Sequence, residues 1–354
     1  MNRFALHYRE DSAMTHWPQA LATQLVGSYT KPSWLLRKHG ESWRADPEVL
    51  AAAQDDAVRL AIYDQERAGL DLLSDGEGRR LNFARHFAIG WQGVDALNMV
   101  KLTNQRRGVT TEYPRVIGPI ELSRPRVLDD LRFLKAASDR PVKMTVVGPL
   151  TAARRLADEY YRDDKALLLA CAGAINAELR ALQAEGCDLL QLDEPVLYTN
   201  PGPLLPYASE ALERALEGIT TPVAVHVCYG YAYRFPNKQA DPAYAAALEI
   251  LAACHSVQWI SIEYAQPKHS PELLKHCGDK AVILGVLDLA TENIEEPQAI
   301  AQRTRAAVEF ISPQRLNLAP DCGMWHLPRP VAYAKLRALV EGAALVRREM
   351  KLAD

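Results

Sequence analysis

Short apolar runs alternate with longer stretches of helical periodicity along most of this chain. Eight runs, each ending in a polar residue or glycine, predict buried β-strands over 21–28, 71–77, 141–148, 188–194, 222–228, 259–264, 281–288 and 315–321. Segments with apolar residues at three- and four-residue spacing predict helices over 47–69, 165–186, 241–254, 296–311 and 330–350. Continuous apolar strands that alternate with helices are typical of a parallel sheet covered on both faces.

This alternation predicts an α/β fold, and specifically a (β/α)8 TIM barrel, because the strands number eight. Such a barrel forms one domain of about 250 residues or more. We therefore predict a single catalytic barrel over 21–354, preceded by an N-terminal extension over 1–20. The segment at about 79–125 predicts a hairpin-containing insertion after strand 2. A doubly wound sheet is the alternative, but no strand is followed by G-x-G-x-x-G.

Composition and charge narrow the class of function. The chain has 354 residues, 48% of them hydrophobic, and a formal net charge of -3, which gives no electrostatic reason to expect binding to nucleic acid or to an anionic membrane. No apolar run approaches the length of a membrane span, and the N-terminal stretch lacks the apolar segment of a signal peptide. Six unevenly spaced cysteines indicate free or metal-bound thiols and a cytoplasmic location.

Polar residues stand at the C-terminal ends of the predicted strands, where barrel enzymes carry their chemistry. These residues are Gly27, Ser28, Asp75, Glu77, Asp193, Glu194, His226, Cys228, Glu263, Asp288, Asp321 and Cys322. His226 and Cys228 are two residues apart on one strand, so their side chains point the same way. Together with Glu263 and Cys322 they offer zinc one imidazole, one carboxylate and two thiolates.

Each of these residues also fits an ordinary structural role. A single buried cysteine is commonly a small apolar core residue, and a single histidine at a strand end is commonly a hydrogen-bonded one. Asp193 and Glu194 precede a proline, which also fits the turn at the start of a helix. His86, His255, His269, His276 and His326 show no strand-end pattern. The combination of four metal-binding residues on three late strands is what favours a metal site.

Eight segments resemble the catalytic barrel of the cobalamin-independent methionine synthase family, in that family's order. They are LVGSYTKP, DGEGRR, YPRVIGPIELSRP, VGPLT, LLQLDEPVL, HVCYG, SIEYA and PDCGM, and the resemblance runs from about residue 23 to 345. The zinc ligands that the resemblance implies are His226, Cys228, Glu263 and Cys322. The residues that it implies near an amino-acid thiol substrate are Val26, Gly27, Ser28, Glu77 and Asp193.

The implied reaction is zinc-dependent transfer of a methyl group to the thiol of homocysteine or a similar small thiol. A free thiol, with a pKa of ~8.5, is mostly protonated at neutral pH, whereas binding to zinc gives the nucleophilic thiolate. Glu77 and Asp193 would pair with the substrate ammonium, and backbone N–H groups around Ser28 would bind its carboxylate. Asp288, in GVLDLATE, is the candidate catalytic residue.

Two departures from the family pattern concern the methyl donor. Arg155 stands where the family carries a tryptophan that stacks on the pterin, and Ala290 stands where it carries a proton-donating histidine. Full-length family enzymes also have a second, N-terminal barrel, for which this chain has no room. We therefore expect a donor other than polyglutamyl methylfolate, such as a methylcorrinoid or a corrinoid protein.

Two other readings stay open. The first is thiol alkylation of the kind carried out by epoxyalkane:coenzyme M transferases, which share the zinc barrel. In that interpretation Arg79, Arg80 or Arg155 would bind the sulfonate of coenzyme M. Glu77 and Asp193 instead favour an amino-acid thiol. The second is a barrel with a purely structural zinc, or an enzyme similar to uroporphyrinogen decarboxylase. The series of metal-binding residue types argues against the decarboxylase.

Overall fold

The computed structural model describes residues 20–36, 42–104 and 109–352, so the predicted extension over 1–20 lies outside the described residues except for Ala20. The α-helices are α1 Pro47–Ala68, α2 Phe83–Ala88, α3 Leu128–Ala137, α4 Pro149–Ala153, α5 Asp164–Ala184, α6 Pro195–Thr199, α7 Ala208–Ala215, α8 Pro242–Ala253, α9 Pro297–Val308 and α10 Arg329–Met350. The strands are β1 Trp91–Asn104, β2 Val109–Leu122, β3 Lys143–Val147, β4 Ala157–Asp158, β5 Leu189–Asp193, β6 Val223–Val227, β7 Trp259–Ile262, β8 Ala281–Leu287 and β9 Leu316–Pro320.

Six of these strands form one parallel sheet in the order β3-β5-β6-β7-β8-β9. The first two predicted strands, 21–28 and 71–77, are reduced to isolated parallel bridges. Those bridges pair Thr23 with Leu318, Gln24 with Leu72, and Leu73 with Val142. They continue the parallel pairing from the β9 edge of the sheet back to the β3 edge. The predicted α/β fold with a parallel sheet is therefore confirmed.

The sheet residues are buried on both faces, which explains why the strands are continuous apolar runs. β3, β5, β6, β7, β8 and β9 are buried along their lengths, apart from the half-buried Asp193 at the end of β5. The five predicted long helices are present as α1, α5, α8, α9 and α10. The other helices were not predicted, because segments of five to ten residues show too little periodicity. None of the described helices has the length and apolar character needed to cross a membrane.

An antiparallel pair, β1 and β2, occupies the segment in which a hairpin was expected. β4 pairs in parallel with β2, so these three strands form a second sheet, separate from the main one. The β1–β2 register shifts between Gln92 and Val94, where Gly93 has a φ of +75° and lies against the backbone of Gly118 and Pro119. A side chain at this position would overlap with that backbone, so the shift requires glycine.

Glu194 joins the C-terminal ends of β3 and β5. Its fully buried carboxylate accepts hydrogen bonds from the backbone N–H of Leu150 (2.8 Å) and Thr151 (2.9 Å) and from the Thr151 hydroxyl (2.7 Å). Glu194 therefore caps the N-terminus of α4, the helix after the neighbouring strand. Gly148 lies directly against this carboxylate, and a Cβ there would overlap with the Glu194 side chain.

We predict that Gly148→Ala lowers the stability of the protein. The added methyl has to displace a buried, triply hydrogen-bonded carboxylate, and overpacking of this kind typically costs about 1–3 kcal/mol. The matched control is Gly173→Ala in α5, where a Cβ meets nothing closer than the Arg214 guanidinium at 3.7 Å. Alanine in a helix interior is favoured over glycine by about 0.5–1 kcal/mol. Urea unfolding midpoints should therefore move in opposite directions, and a shared direction would contradict the packing argument.

Candidate metal centre

The four predicted metal ligands come together at one edge of the parallel sheet. His226 lies on β6 and Cys228 follows that strand, while Glu263 follows β7 and Cys322 follows β9. All four side chains are buried, and one ligand atom from each lies within 4.8 Å of those of the other three. This convergence results from the parallel pairing, because the C-terminal ends of neighbouring strands meet at the same edge.

His226 has one ring nitrogen in contact with a hydroxyl and one without a partner. Its Nδ1 lies 3.0 Å from the Ser261 hydroxyl, whereas its buried Nε2 has no hydrogen-bond partner among the described residues. Burial, followed by the positive charges of Lys143 and Lys238, lowers the pKa of His226 to about 3. The imidazole is therefore neutral at physiological pH, and the tautomer with Nδ1–H donated to Ser261 would leave the Nε2 lone pair available to a metal.

The two thiols form a close buried pair. Cys228 Sγ lies 3.3 Å from Cys322 Sγ and also accepts a hydrogen bond from the backbone N–H of Gly230 at 3.1 Å. The contact with Cys322, reinforced by burial, raises the pKa of the Cys228 thiol well above its ordinary value. A bound cation would reverse this shift, because it favours the thiolate form of both sulfurs.

Glu263 is held by two donors that the sequence did not reveal. Its Oε1 accepts a hydrogen bond from the backbone N–H of Tyr229 at 2.8 Å, and its Oε2 contacts Lys238 Nζ at 2.5 Å. Both side chains of this ion pair are essentially inaccessible to solvent, with exposures of 1% and 0%. Burial raises the pKa of Glu263, and the ammonium of Lys238 opposes that shift. A lysine within the polar loop FPNKQ carries no sequence signal for such a role.

This arrangement satisfies the requirements of a zinc site. Zinc bonds of about 2.3 Å to sulfur and 2.0–2.1 Å to nitrogen place tetrahedral neighbours roughly 3.3–3.8 Å apart. Two zinc-bound sulfurs lie at the upper end of that range, so the sulfur pair at 3.3 Å has to open by roughly half an ångström. The 4.8 Å limit on the whole set keeps the other side-chain movements small. Thiolate and imidazole donors suit zinc, whereas magnesium and calcium prefer oxygen ligands. The residues present therefore fit the metal.

The predicted substrate residues form a second group around Glu77 and Asp193. Glu77 adopts a φ of +55° and its Oε1 accepts a hydrogen bond from the Thr145 hydroxyl at 2.9 Å. Gly27 lies so close that a Cβ there would contact Glu77 Oε1. The side-chain amide of Gln191 donates both to the carbonyl of Val26 (2.8 Å) and to Asp193 Oδ1 (2.6 Å).

This second group adjoins the metal ligands. Asp193 is directly paired with His226 in the β5–β6 ladder. The carbonyl of Ser28 accepts a hydrogen bond from Met324 N–H at 2.7 Å, two residues beyond Cys322. Burial and the nearby Glu77 raise the pKa of Asp193 to about 8. The structure therefore brings the metal ligands and the predicted ammonium-binding carboxylates to one site.

Asp288 has contacts that suit a turn residue. Its Oδ1 accepts a hydrogen bond from the backbone N–H of Ala290 at 2.8 Å, and its carbonyl accepts one from Lys335 Nζ at 2.9 Å. Asp288 is not part of the cluster of ligand atoms. Its catalytic role stays a prediction, while its hydrogen bonds order the loop after β8.

Aromatic residues beside the thiols were missed from the sequence. Tyr231 and Trp325 each follow a ligand cysteine by three residues, and their ring centroids are 5.6 Å apart. Tyr233 packs between Trp325 (5.3 Å) and His326 (5.6 Å), and His326 Nε2 lies 3.0 Å from the carbonyl of Leu289. The only signal available was the equal spacing of the two aromatic residues from their cysteines.

The comparison with known proteins agrees with this geometry. Residues 21–345 match the family model described as "Cobalamin-independent synthase, Catalytic domain". The chain belongs to the cobalamin-independent methionine synthase family. Family membership indicates a methyltransferase. The family's description as cobalamin-independent gives no support to the corrinoid partner expected from the sequence.

Similar proteins cover nearly the whole chain. A methionine synthase from Sulfurisphaera tokodaii is 32% identical over 338 residues, covering 94% of this chain and 94% of the relative. A methionine synthase from Thermococcus kodakarensis is 30% identical over 334 residues, covering 93% and 94%. Among solved structures, a B12-independent methionine synthase from Shewanella sp. W3-18-1, in complex with selenomethionine, is 31% identical and superposes with a TM-score of 0.86, covering 94% of this chain and 99% of that one.

We predict about one tightly bound zinc per chain, lost or weakened in Cys228→Ser and Cys322→Ser. Removing a thiolate ligand should reduce zinc affinity by at least the roughly 10–100-fold typical of losing a supporting residue. Cys254→Ser is the matched control, because Cys254 is buried outside the cluster and donates to the carbonyl of Ile250, a bond that serine retains. Metal analysis and chelator competition measure the effect. Equal zinc content in all three variants would refute the assignment.

Proposed function

We propose that this protein transfers a methyl group to the thiol of homocysteine or a similar amino-acid thiol, with zinc bound by His226, Cys228, Glu263 and Cys322. The observation that carries the proposal is the convergence of these ligand atoms within 4.8 Å, with His226 on the strand next to the one that ends in Asp193. Zinc, when bound, would lower the pKa of the substrate thiol and so supply the thiolate nucleophile at neutral pH.

The carboxylates of Glu77 and Asp193 would bind the substrate ammonium. Asp193 has a pKa of about 8, first because it is buried and then because Glu77 repels its negative charge, so in the free site it binds a proton at neutral pH. A substrate ammonium would compensate both effects and favour the ionised form. The site therefore favours thiols that carry a cationic amino group.

We also infer that the eight strand segments close into one (β/α)8 barrel within a single domain. The three isolated bridges support this, because they give the segments at 23–24 and 72–73 parallel partners on both sides. The β1–β2 hairpin would then be an insertion after the second strand, as expected from the sequence. The relatives support the same architecture, since they are matched over almost their whole length.

The relatives also support the acceptor. The Shewanella protein was solved with selenomethionine, the selenium analogue of the methylated product of homocysteine. Coenzyme M as acceptor receives no such support, because Arg79 is paired with Asp55 (2.7 Å) and Asp130 (2.9 Å) and is not free to bind a sulfonate. Arg80 donates to the Thr145 hydroxyl, and Asp75 (3.9 Å) and Glu77 (3.7 Å) lie beside its guanidinium, so their negative charges oppose a sulfonate there.

We predict that Glu77→Gln and Asp193→Asn raise the KM for homocysteine by roughly 10–100-fold. Each removes a charge partner of the ammonium, and a hydrogen bond to a charged group is worth about 1.5–3 kcal/mol. Zinc content should stay at the parental level, because neither residue is a ligand. Glu341→Gln is the control, since Glu341 is exposed on α10 and pairs with Arg337 one turn away. Parental KM values in both site variants would contradict the amino-acid assignment.

The residues of the site constrain the methyl donor less than they constrain the thiol acceptor. Arg155 and Ala290, which replace the family's aromatic and its proton donor, are both exposed. A folate leaving group needs its ring nitrogen protonated, and general acid catalysis is typically worth about 10²–10⁴-fold. We propose a donor whose leaving group departs without a proton, for which methylcobalamin serves as a reagent and not as a resident cofactor.

We therefore predict that homocysteine methylation with methylcobalamin exceeds that with monoglutamyl methyltetrahydrofolate by at least about 100-fold. Rates with each donor at saturating homocysteine measure this ratio. Equal or faster turnover with the folate would show that another group replaces the missing proton donor. His326→Gln then tests an imidazole beside that loop, since His326 Nε2 lies 3.0 Å from the carbonyl of Leu289, next to Ala290.

A further inference from the structure

A buried lysine on the first strand of the parallel sheet has no carboxylate in hydrogen-bonding contact. Lys143, the first residue of β3, is fully buried. Its Nζ donates to Gln24 Oε1 (2.8 Å), to the carbonyl of Leu25 and to Gln191 Oε1 (2.9 Å). Three neutral acceptors match the three protons of an ammonium. Burial of an ammonium is costly even when it is hydrogen-bonded, so this position needs an explanation that core packing does not provide.

The contact between Lys143 and Gln191 determines the orientation of the Gln191 side-chain amide. An amide group has an acceptor end and a donor end, and either orientation fills the same space. Because an ammonium carries donors only, Gln191 Oε1 must face Lys143, and Nε2 must face the opposite side. Nε2 there donates to the carbonyl of Val26 at 2.8 Å and to Asp193 Oδ1 at 2.6 Å. The lysine thereby fixes which end of the amide meets Asp193.

We propose that Lys143 is a positioning residue for the amino group of the substrate, acting through Gln191 on Asp193. This proposal rests on the proposed function of the site. With Oδ1 held by Gln191, Oδ2 is the oxygen of Asp193 that has no hydrogen bond within the described part of the chain, and it is the atom that would meet the ammonium. Burial lowers the pKa of Lys143 to about 7, whereas the negative charges of Asp193 and Glu77 oppose that shift. The ammonium of Lys143 and the carboxylate of Asp193 therefore favour one another.

The alternative is that Lys143 only stabilises the fold. In that case its loss would weaken binding of every thiol alike, or of none. A positioning role instead predicts a selective loss, confined to substrates with an amino group. The pair homocysteine and 4-mercaptobutanoate separates the two cases, because the second compound is homocysteine without its amino group.

The experiment measures binding of both thiols to the cobalt(II)-substituted protein, in which a bound substrate sulfur adds charge-transfer absorption. No methyl donor is required. The variants are Lys143→Met and Gln191→Met, which both break the connection to Asp193. The matched control is Gln24→Met, which removes another acceptor of the same lysine and leaves Lys143, Gln191 and Asp193 connected.

We expect the parent protein to bind homocysteine about tenfold or more tightly than 4-mercaptobutanoate, because a hydrogen bond to a charged group contributes about that much affinity. Lys143→Met and Gln191→Met should each reduce this preference to roughly threefold or less, while binding of 4-mercaptobutanoate changes little. The double variant should be no worse than either single one, because both act on the same hydrogen bond. Gln24→Met should retain the parental preference.

Two outcomes would overturn the proposal while the proposed function stands. One is a parental preference in Lys143→Met, or in Gln191→Met should Lys143→Met not fold. The other is an equal loss of preference in Gln24→Met, which would indicate general loosening of the core. If the parent protein itself shows no absorption change with homocysteine, or no preference for it, the proposed function fails instead.

Discussion

The parallel hydrogen-bond ladder is the constraint on which the site depends. Because the paired strands run in one direction and in register, residues far apart in sequence arrive at one edge, and Asp193 is set beside His226. The same ladder brings Glu263 to the thiols, although Cys322 comes 59 positions later in the sequence. No single strand holds more than two of the four ligands. The centre therefore exists only when several strands are paired correctly, which links metal binding to completion of the fold.

Buried charge is the main cost of this arrangement. Lys143, Lys238 and Glu263 are almost completely removed from water. Glu263 and Lys238 compensate one another at 2.5 Å, and breaking such a buried pair typically costs about 3–5 kcal/mol. Lys143 has no such partner and depends on amide and carbonyl oxygens. Buried charge of this kind contributes little to net stability, so its presence around the pocket is better explained by the orientation of polar groups.

Strands and loops contribute different groups to the site. Glu77 and Asp193 are hydrogen-bonded to Thr145 and Gln191, which lie on β3 and β5. Aromatic rings come from the loops, where Tyr231 and Trp325 each stand three residues after a ligand thiol. Strand ends are positioned by the sheet, whereas loops change without disturbing it. Arg155 and Ala290, the departures from the family pattern, also lie outside the strands.

The sequence by itself determined the six strands of the main sheet, the long helices and the candidate ligand types, because these follow from local periodicity and from residue chemistry. It also indicated that His226 and Cys228 share one face of a strand. Only the tertiary structure decided that Lys238 neutralises Glu263 and that Lys143 orients Gln191, since those contacts join residues 25 and 48 positions apart. It also showed that Glu194 caps α4 and that Asp288 orders a turn. Contacts of this kind leave no periodic pattern, because each depends on where two separate segments come to lie.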